Sequence, residues 1–294
     1  MELNPATKIS LCTVRLESVG EKSSSVGTGY CYFFNFLNEQ NGQMALVPAI
    51  VTNKHVVDGA NLIKAVFQII KQGAVIKEDA HADEEEQQEF HFTNMEFGIV
   101  HHPDPKVDLC IILLGQMLSS VKQGYGIKNQ FIDRSWHLDE EMKPQVRPIE
   151  PIAMIGYPNG LWDEMNNRPI ARRGQTASHA LKHWNGERQF VIDAACFPGS
   201  SGSPVFLFED GLFRSGGNAY TPGTRAKLIG TLWGGPVLTA EGKLVPRAIP
   251  TSFEEEGVEK IPVMRLMMNL GFVVHADAID DFIPLIKQRL GHKA

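Results

Sequence analysis

Phe197-Pro198-Gly199-Ser200-Ser201-Gly202-Ser203-Pro204 is the stretch on which the reading of this chain turns. It sets a serine inside a turn of glycines and prolines just after the apolar run Phe190-Val191-Ile192. A serine hydroxyl is a poor nucleophile at neutral pH. It needs a neutral imidazole within hydrogen-bond reach, and that imidazole needs a fixed tautomer. Two upstream segments supply the missing types. Thr52-Asn53-Lys54-His55-Val56-Val57 places a histidine after Ile50-Val51, and Val107-Asp108-Leu109-Cys110-Ile111-Ile112 places an aspartate at the head of another apolar run. The candidate roles are His55 as base, Asp108 as orienting carboxylate and Ser201 as nucleophile. The backbone N–H groups of Gly199 and Ser201 are candidate donors to an oxyanion, and glycine at 199 permits the backbone this needs.

The rival assignments are weaker. Asp104 competes with Asp108, but only Asp108 leads directly into an apolar strand. His101-His102 with Asp104 has no third ligand at a recognised spacing, and Pro103 and Pro105 mark a turn, so this is read as a loop with no metal or cofactor. A Gly-x-Ser-x-Gly elbow fails at Ser203, and it would need acid and base after the serine.

Around these motifs the chain reads as strands. Residues 26–36, 45–52, 62–70, 97–100, 109–114, 152–155, 190–193, 205–208 and 227–233 are short apolar or β-rich runs bounded by Gly, Pro or Asn. The pattern loosens from Ser119 to Pro151. The expected organisation is an N-terminal β-barrel over 1–120 carrying His55 and Asp108, a connection over 121–150, a C-terminal β-barrel over 151–276 carrying Ser201, and a C-terminal helix over 277–294. In that helix Ile279, Ile283, Ile286 and Leu290 share a face, while Pro284 requires either a start near Asp281 or a kink. Glu78 to Glu89 is strongly acidic and is read as a solvated loop.

Composition sets the class. With 294 residues, 43% of them hydrophobic and 21% charged, the chain can build substantial cores. A net charge of -6 without a basic stripe argues against nucleic acid. No run approaches the roughly 18 apolar residues of a membrane span. The start, Met1-Glu2-Leu3-Asn4-Pro5, carries an acid where a secretory signal is basic. Cys12, Cys31, Cys110 and Cys196 lack framework or metal spacing, which suits reduced, buried thiols in a cytosolic protein.

The order His, Asp, Ser and the wording of all three motifs resemble the trypsin-like, chymotrypsin-fold serine proteases. The stretch from Val191 to Pro204 and Ile155-Gly156-Tyr157-Pro158-Asn159-Gly160 resemble the HtrA-like bacterial branch, here without a PDZ domain. The resemblance implies an all-β fold of two packed six-stranded antiparallel barrels with a C-terminal helix. It implies a serine endopeptidase acting on a protein or peptide through an acyl-enzyme. Trp233 and Gly234, in Trp233-Gly234-Gly235, would offer a strand edge to substrate backbone. A catalytically silent protein- or peptide-binding module on the same fold is the alternative.

Three departures from the family pattern carry expectations. Ser200 stands where the digestive enzymes have an aspartate that captures a freshly cut N-terminus, so control by a regulatory partner or by homo-oligomerisation is expected instead. Ser203 replaces a glycine, which implies a more restricted backbone and a site distorted at rest. Ala195 occupies the position of the acid that binds Lys or Arg, so a small or medium apolar residue is expected in a pocket near Ala195 and Phe197.

Overall fold

Apolar residues fall on both faces of the central strands because each sheet serves two cores. Residues 151–156, Pro-Ile-Ala-Met-Ile-Gly, show the arrangement: Ile152 and Met154 point into one cluster, Ala153 and Ile155 into another. A strand buried on both sides loses the apolar–polar alternation and reads as a continuous run.

The computed structural model describes residues 3–21, 24–38, 42–76, 85–93, 98–216, 219–241 and 263–291. The N-terminal unit is an eight-stranded sheet made of β1 (Thr13–Val19), β2 (Ser24–Asn38), β3 (Gln43–Thr52), β4 (Leu62–Lys71), β5 (Glu85–Phe92), β6 (Ile99–His101), β7 (Cys110–Leu113) and β8 (Tyr125–Ile127). Its order is β5-β4-β1-β2-β3-β7-β6, with β8 added to β4. The C-terminal unit is a closed six-stranded barrel of β9 (Pro151–Gly156), β10 (Ile170–Thr176), β11 (Gln189–Asp193), β12 (Pro204–Gly216), β13 (Ala219–Gly234) and β16 (Leu270–His275). A separate two-stranded sheet pairs β14 (Val237–Glu241) with β15 (Val263–Met267). All these pairings are antiparallel, and the all-β, chymotrypsin-like architecture agrees with the expectation from sequence.

Three buried clusters hold the molecule together. Leu16, Ile50, Ile63, Phe67 and Ile112 fill the first unit, and Ile152, Phe190, Ile192, Val205 and Val273 fill the barrel. The third lies between the units, where Tyr30, Phe34, Val51, Ile111, Ile155, Phe206 and Val274 meet Ile279, Phe282 and Ile286. Each fully buried Phe or Ile there contributes about 1.5–3 kcal/mol from area alone.

The C-terminal helix, Phe282–Arg289, begins at Asp281 rather than Asp277, and residues 276–281 form a tighter 3-10 turn. Pro284 therefore lies in the first helical turn, where no intrahelical N–H bond is lost. Leu290 is 48% exposed and leaves the expected apolar face, and Phe282, fully buried, fills the seam instead. The acidic stretch also departs from expectation: residues 85–89 belong to edge strand β5, paired with β4, while 78–84 lie outside the described residues.

Candidate active site

His55 sits on a one-turn helix, Lys54–Val57, that follows β3 directly. Val56 and Val57 are buried and anchor that turn, leaving the His55 side chain 48% exposed at the surface. The turn is tied to the segment before β7. Asn53, fully buried, donates from Nδ2 to the Asp108 carbonyl at 2.7 Å, and Lys54 Nζ donates to the Asp104 carbonyl at 3.0 Å.

Asp108 meets His55 twice. Its Oδ2 lies 2.5 Å from His55 Nδ1, and its Oδ1 accepts the His55 backbone N–H at 3.2 Å. The two contacts orient both the carboxylate and the ring. With the carboxylate accepting from Nδ1–H, the neutral ring carries its lone pair on Nε2.

Asp104 is elsewhere. Its N–H donates to His102 Nδ1 at 3.1 Å, and His102 Nε2 lies 3.2 Å from the Ala278 carbonyl. His102 is buried, which holds its pKa below the ordinary range, and it fastens the Asp104 loop to the turn before the C-terminal helix. Among the described residues no His, Cys, Asp or Glu cluster could hold a metal ion.

Ser201 lies in a turn pinned from two sides. Its carbonyl accepts the Thr28 N–H at 2.8 Å, and Gly202 N–H donates to the Leu232 carbonyl at 2.8 Å. The Thr28 carbonyl in turn accepts the Thr52 hydroxyl at 2.7 Å, so two hydrogen bonds join the Ser201 turn to the strand end that leads into His55. The Ser201 hydroxyl donates to the Trp233 carbonyl at 3.3 Å, and no hydrogen bond joins it to His55 among the described residues.

Gly199 adopts a φ of 86°, in the left-handed region. This turns the Pro198 carbonyl toward Asn159 N–H, 2.5 Å away. Among the described residues, neither the Gly199 nor the Ser201 N–H is engaged in a hydrogen bond. Ser203 is not among the residues of positive φ, and its buried hydroxyl occupies space left open by Gly156, where an added Cβ would strike it. The serine is accommodated by the missing side chain of Gly156 opposite, and its hydroxyl has no hydrogen-bond partner among the described residues. Ser200 is 1% exposed, and its hydroxyl has no partner among the described residues.

The expected substrate-contacting residues divide. Phe197 lines a cavity of about 560 Å³ beside the Gly199 loop, together with Leu161, Trp162 and Arg172. Arg172 donates from Nη1 to the Ala195 carbonyl and sits 4.8 Å over the Phe197 ring. Trp233 stacks on Phe272, donates from Nε1 to Gln189 Oε1 at 2.8 Å, and presents its carbonyl to Ser201. Gly234 ends β13, in register with Phe272.

Residues 27–213 match the model of the trypsin-like peptidase domain, more than half of the chain. The chain belongs to the trypsin-like peptidase family. Comparison with curated protein sequences gives no match. Among solved structures, this trypsin-like domain is similar to a serine endoprotease from Yersinia pestis, at 12% identity over 98% of this chain and 68% of that one, with a TM-score of 0.46. It is similar to a thermostable serine protease, AL20, from an extremophilic microorganism, at 12% identity over 93% and 95% of the two chains and a TM-score of 0.44. A catalytically active tobacco etch virus protease complexed with product gives 12% identity, coverages of 80% and 72%, and a TM-score of 0.44. At such identities nothing about chemistry carries across.

Two residues of this trypsin-like domain escaped the sequence reading. Thr28 donates to the Gly199 carbonyl at 2.9 Å and accepts the Tyr157 N–H at 3.0 Å, bracing the Ser201 turn against the end of β9. Its signal was Gly27-Thr28-Gly29 inside a strand, since strand glycines mark close approach. Arg172 gave no signal, because a surface arginine on a strand is unremarkable until its partner is known. The four thiols are buried and unpaired, and burial pushes each upward, Cys196 to about 11. Each is therefore held as the thiol and not the thiolate.

Proposed function

We propose that this protein is a serine endopeptidase with Ser201 as nucleophile, His55 as general base and Asp108 as the group that holds the imidazole. The observation that carries the reading is the His55–Asp108 pair, made by two contacts of 2.5 and 3.2 Å, beside a serine turn with two unengaged N–H groups. The Ser201 hydroxyl turns about χ1 from the Trp233 carbonyl to His55 Nε2, which takes its proton as Oγ attacks a peptide carbonyl. The oxyanion is met by the N–H groups of Gly199 and Ser201. His55 then passes the proton to the leaving amine, and water repeats the sequence on the acyl-enzyme.

An apolar substrate side chain on the acyl side fits the Leu161, Trp162 and Phe197 walls, and the Trp233–Gly234 edge receives substrate backbone. Cleavage of a mixed peptide library reads this out, and dominant cleavage after Arg or Lys contradicts it. Buried, unpaired thiols support a reducing compartment such as the cytosol. Control by a partner or by self-association remains part of the reading, and a pure monomer cleaving at full rate would remove it.

A fluorophosphonate probe tests the core of the proposal. The parent is labelled, Ser201→Ala is not, and His55→Ala is labelled far more slowly. The position of the Ser201 hydroxyl on the Trp233 carbonyl favours the second reading, a silent peptide-binding module, and absence of labelling in the parent would select it.

A further inference from the structure

A second cavity, of about 200 Å³, lies where the connection between the units crosses the barrel. Arg134 and Lys143 come from the connection, Leu181 from the loop before β11, Ile229 from β13, and His275 and Asp277 from the end of β16 and the turn beyond it. His137 completes it.

Its two buried imidazoles each lack one hydrogen bond. His137 is 3% exposed, and its Nε2 lies 3.0 Å from the Tyr32 hydroxyl. With that hydroxyl donating to Nε2, the ring proton sits on Nδ1, which has no partner among the described residues. His275 is 7% exposed, and its Nε2 has no partner among the described residues. With its proton on Nδ1, toward the Gln189 backbone, the neutral ring offers a lone pair at Nε2. Burial lowers the pKa of both rings, which keeps them neutral. Buried polar groups left unpaired are uncommon in native proteins and ask for a partner.

The cavity thus presents two cations and an N–H donor, and also an acceptor and the Asp277 carboxylate, around apolar walls. A ligand that complements it carries a negative and a positive end on a small apolar body. The volume is below the roughly 300 Å³ of drug-sized sites and about seven times the 30 Å³ share of one water. Among the described residues the charged groups are held by pairs that are exposed or part-buried, Arg134 with Asp280 at 3.0 Å, Lys143 with Glu140 at 2.5 Å and Asp277 with Arg188 at 3.2 Å. Such pairs exchange for a ligand at little cost.

We propose that this cavity binds a free α-amino acid with a small apolar side chain. Its carboxylate lies against Arg134, Lys143 and His137 Nδ1–H, its ammonium against His275 Nε2 and Asp277, and its side chain against Leu181 and Ile229. The site does not depend on the peptidase reading, so either stands if the other fails.

Titration calorimetry of the full chain with L-valine, L-valinamide and N-acetyl-L-valine tests it. L-valine binds with a Kd of about 1 mM or tighter, and the two derivatives, each lacking one charge, bind about tenfold more weakly or worse. Lys143→Gln, a change at a side chain 39% exposed, weakens L-valine to a similar degree, and Leu181→Trp blocks it. No heat from L-valine, meaning ordered water only, overturns the proposal. Equal binding of the three compounds, or variants that bind as the parent does, overturns it too.

Discussion

Replacing Gly199 by alanine separates the oxyanion geometry from the stability of the fold. Gly199 holds a φ of 86°, which costs an L residue about 1–2 kcal/mol. An added Cβ would come within 2.6 Å of the Tyr157 carbonyl oxygen and 3.0 Å of Asn159 N. Both are backbone atoms, so the loop must move. Its direct relief is rotation of the Pro198–Gly199 peptide, which gives up the bond to Asn159 N–H and turns the Gly199 N–H away from the forming oxyanion. Loss of one such donor lowers kcat by about 10²–10³. The effect on stability is modest: the φ cost and the lost hydrogen bond together come to about 1.5–3.5 kcal/mol, which at about 2.1 cal/mol/K per residue lowers Tm by roughly 2–6 °C. Hydrolysis of a mixed peptide library, run beside thermal unfolding, reads both quantities. Gly202→Ala is the contrast, because its Cβ would collide with the Thr28 carbonyl and lie 2.6 Å from Thr52 Oγ1, where the two units meet. That variant loses folding as well as rate. A Gly199→Ala protein with kcat within about threefold of the parent, or with a loss that follows its unfolding, would refute the reasoning.

Asp108→Asn removes the acceptor that fixes the His55 tautomer while keeping the shape of the side chain, so kcat falls by roughly 10⁴ with Tm nearly unchanged; steady-state kinetics check this. Arg225 is buried between Glu150 and Glu209, and Arg225→Met leaves two carboxylates without their cation, costing about 3–5 kcal/mol, or roughly 5–8 °C in Tm. An unchanged melting curve contradicts it. Burial holds His137 down to about 3, below the ordinary value, so the unfolded chain binds its proton first. Its contribution is intact above about pH 6.5 and is lost as pH falls toward 3, by up to about 5 kcal/mol. Denaturant titrations across that window show a flatter slope in His137→Gln, and an identical slope counts against the assignment.

The three motifs stand out in the sequence because each meets a structural requirement of its own neighbourhood. The Ser201 turn needs glycine at 199 for its backbone, His55 needs the buried Val56-Val57 anchor, and Asp108 needs an apolar strand behind it, so each motif records its own structural requirement. β5 was missed because Glu and Gln have little strand preference, and only pairing with β4 makes residues 85–92 extended. β12 and β13 run well beyond the barrel as a ribbon whose described outer residues, 210–215 and 219–224, are mostly exposed, with no core face to set an alternating pattern. The role of Thr28 depends on Tyr157 and Gly199, more than a hundred residues away, and no local window contains that. The Pro284 ambiguity was settled by packing: burial of Phe282 in the inter-unit core fixes where the helix begins.

Trapping the acyl-enzyme tests the central claim most directly. The protein is mixed with a p-nitrophenyl ester, quenched in acid within the first turnover and mapped by mass spectrometry. The account predicts the acyl group on Ser201, absent in Ser201→Ala and formed far more slowly in His55→Ala. An acyl group on another residue, or a Ser201 adduct that forms as fast without His55, would contradict it.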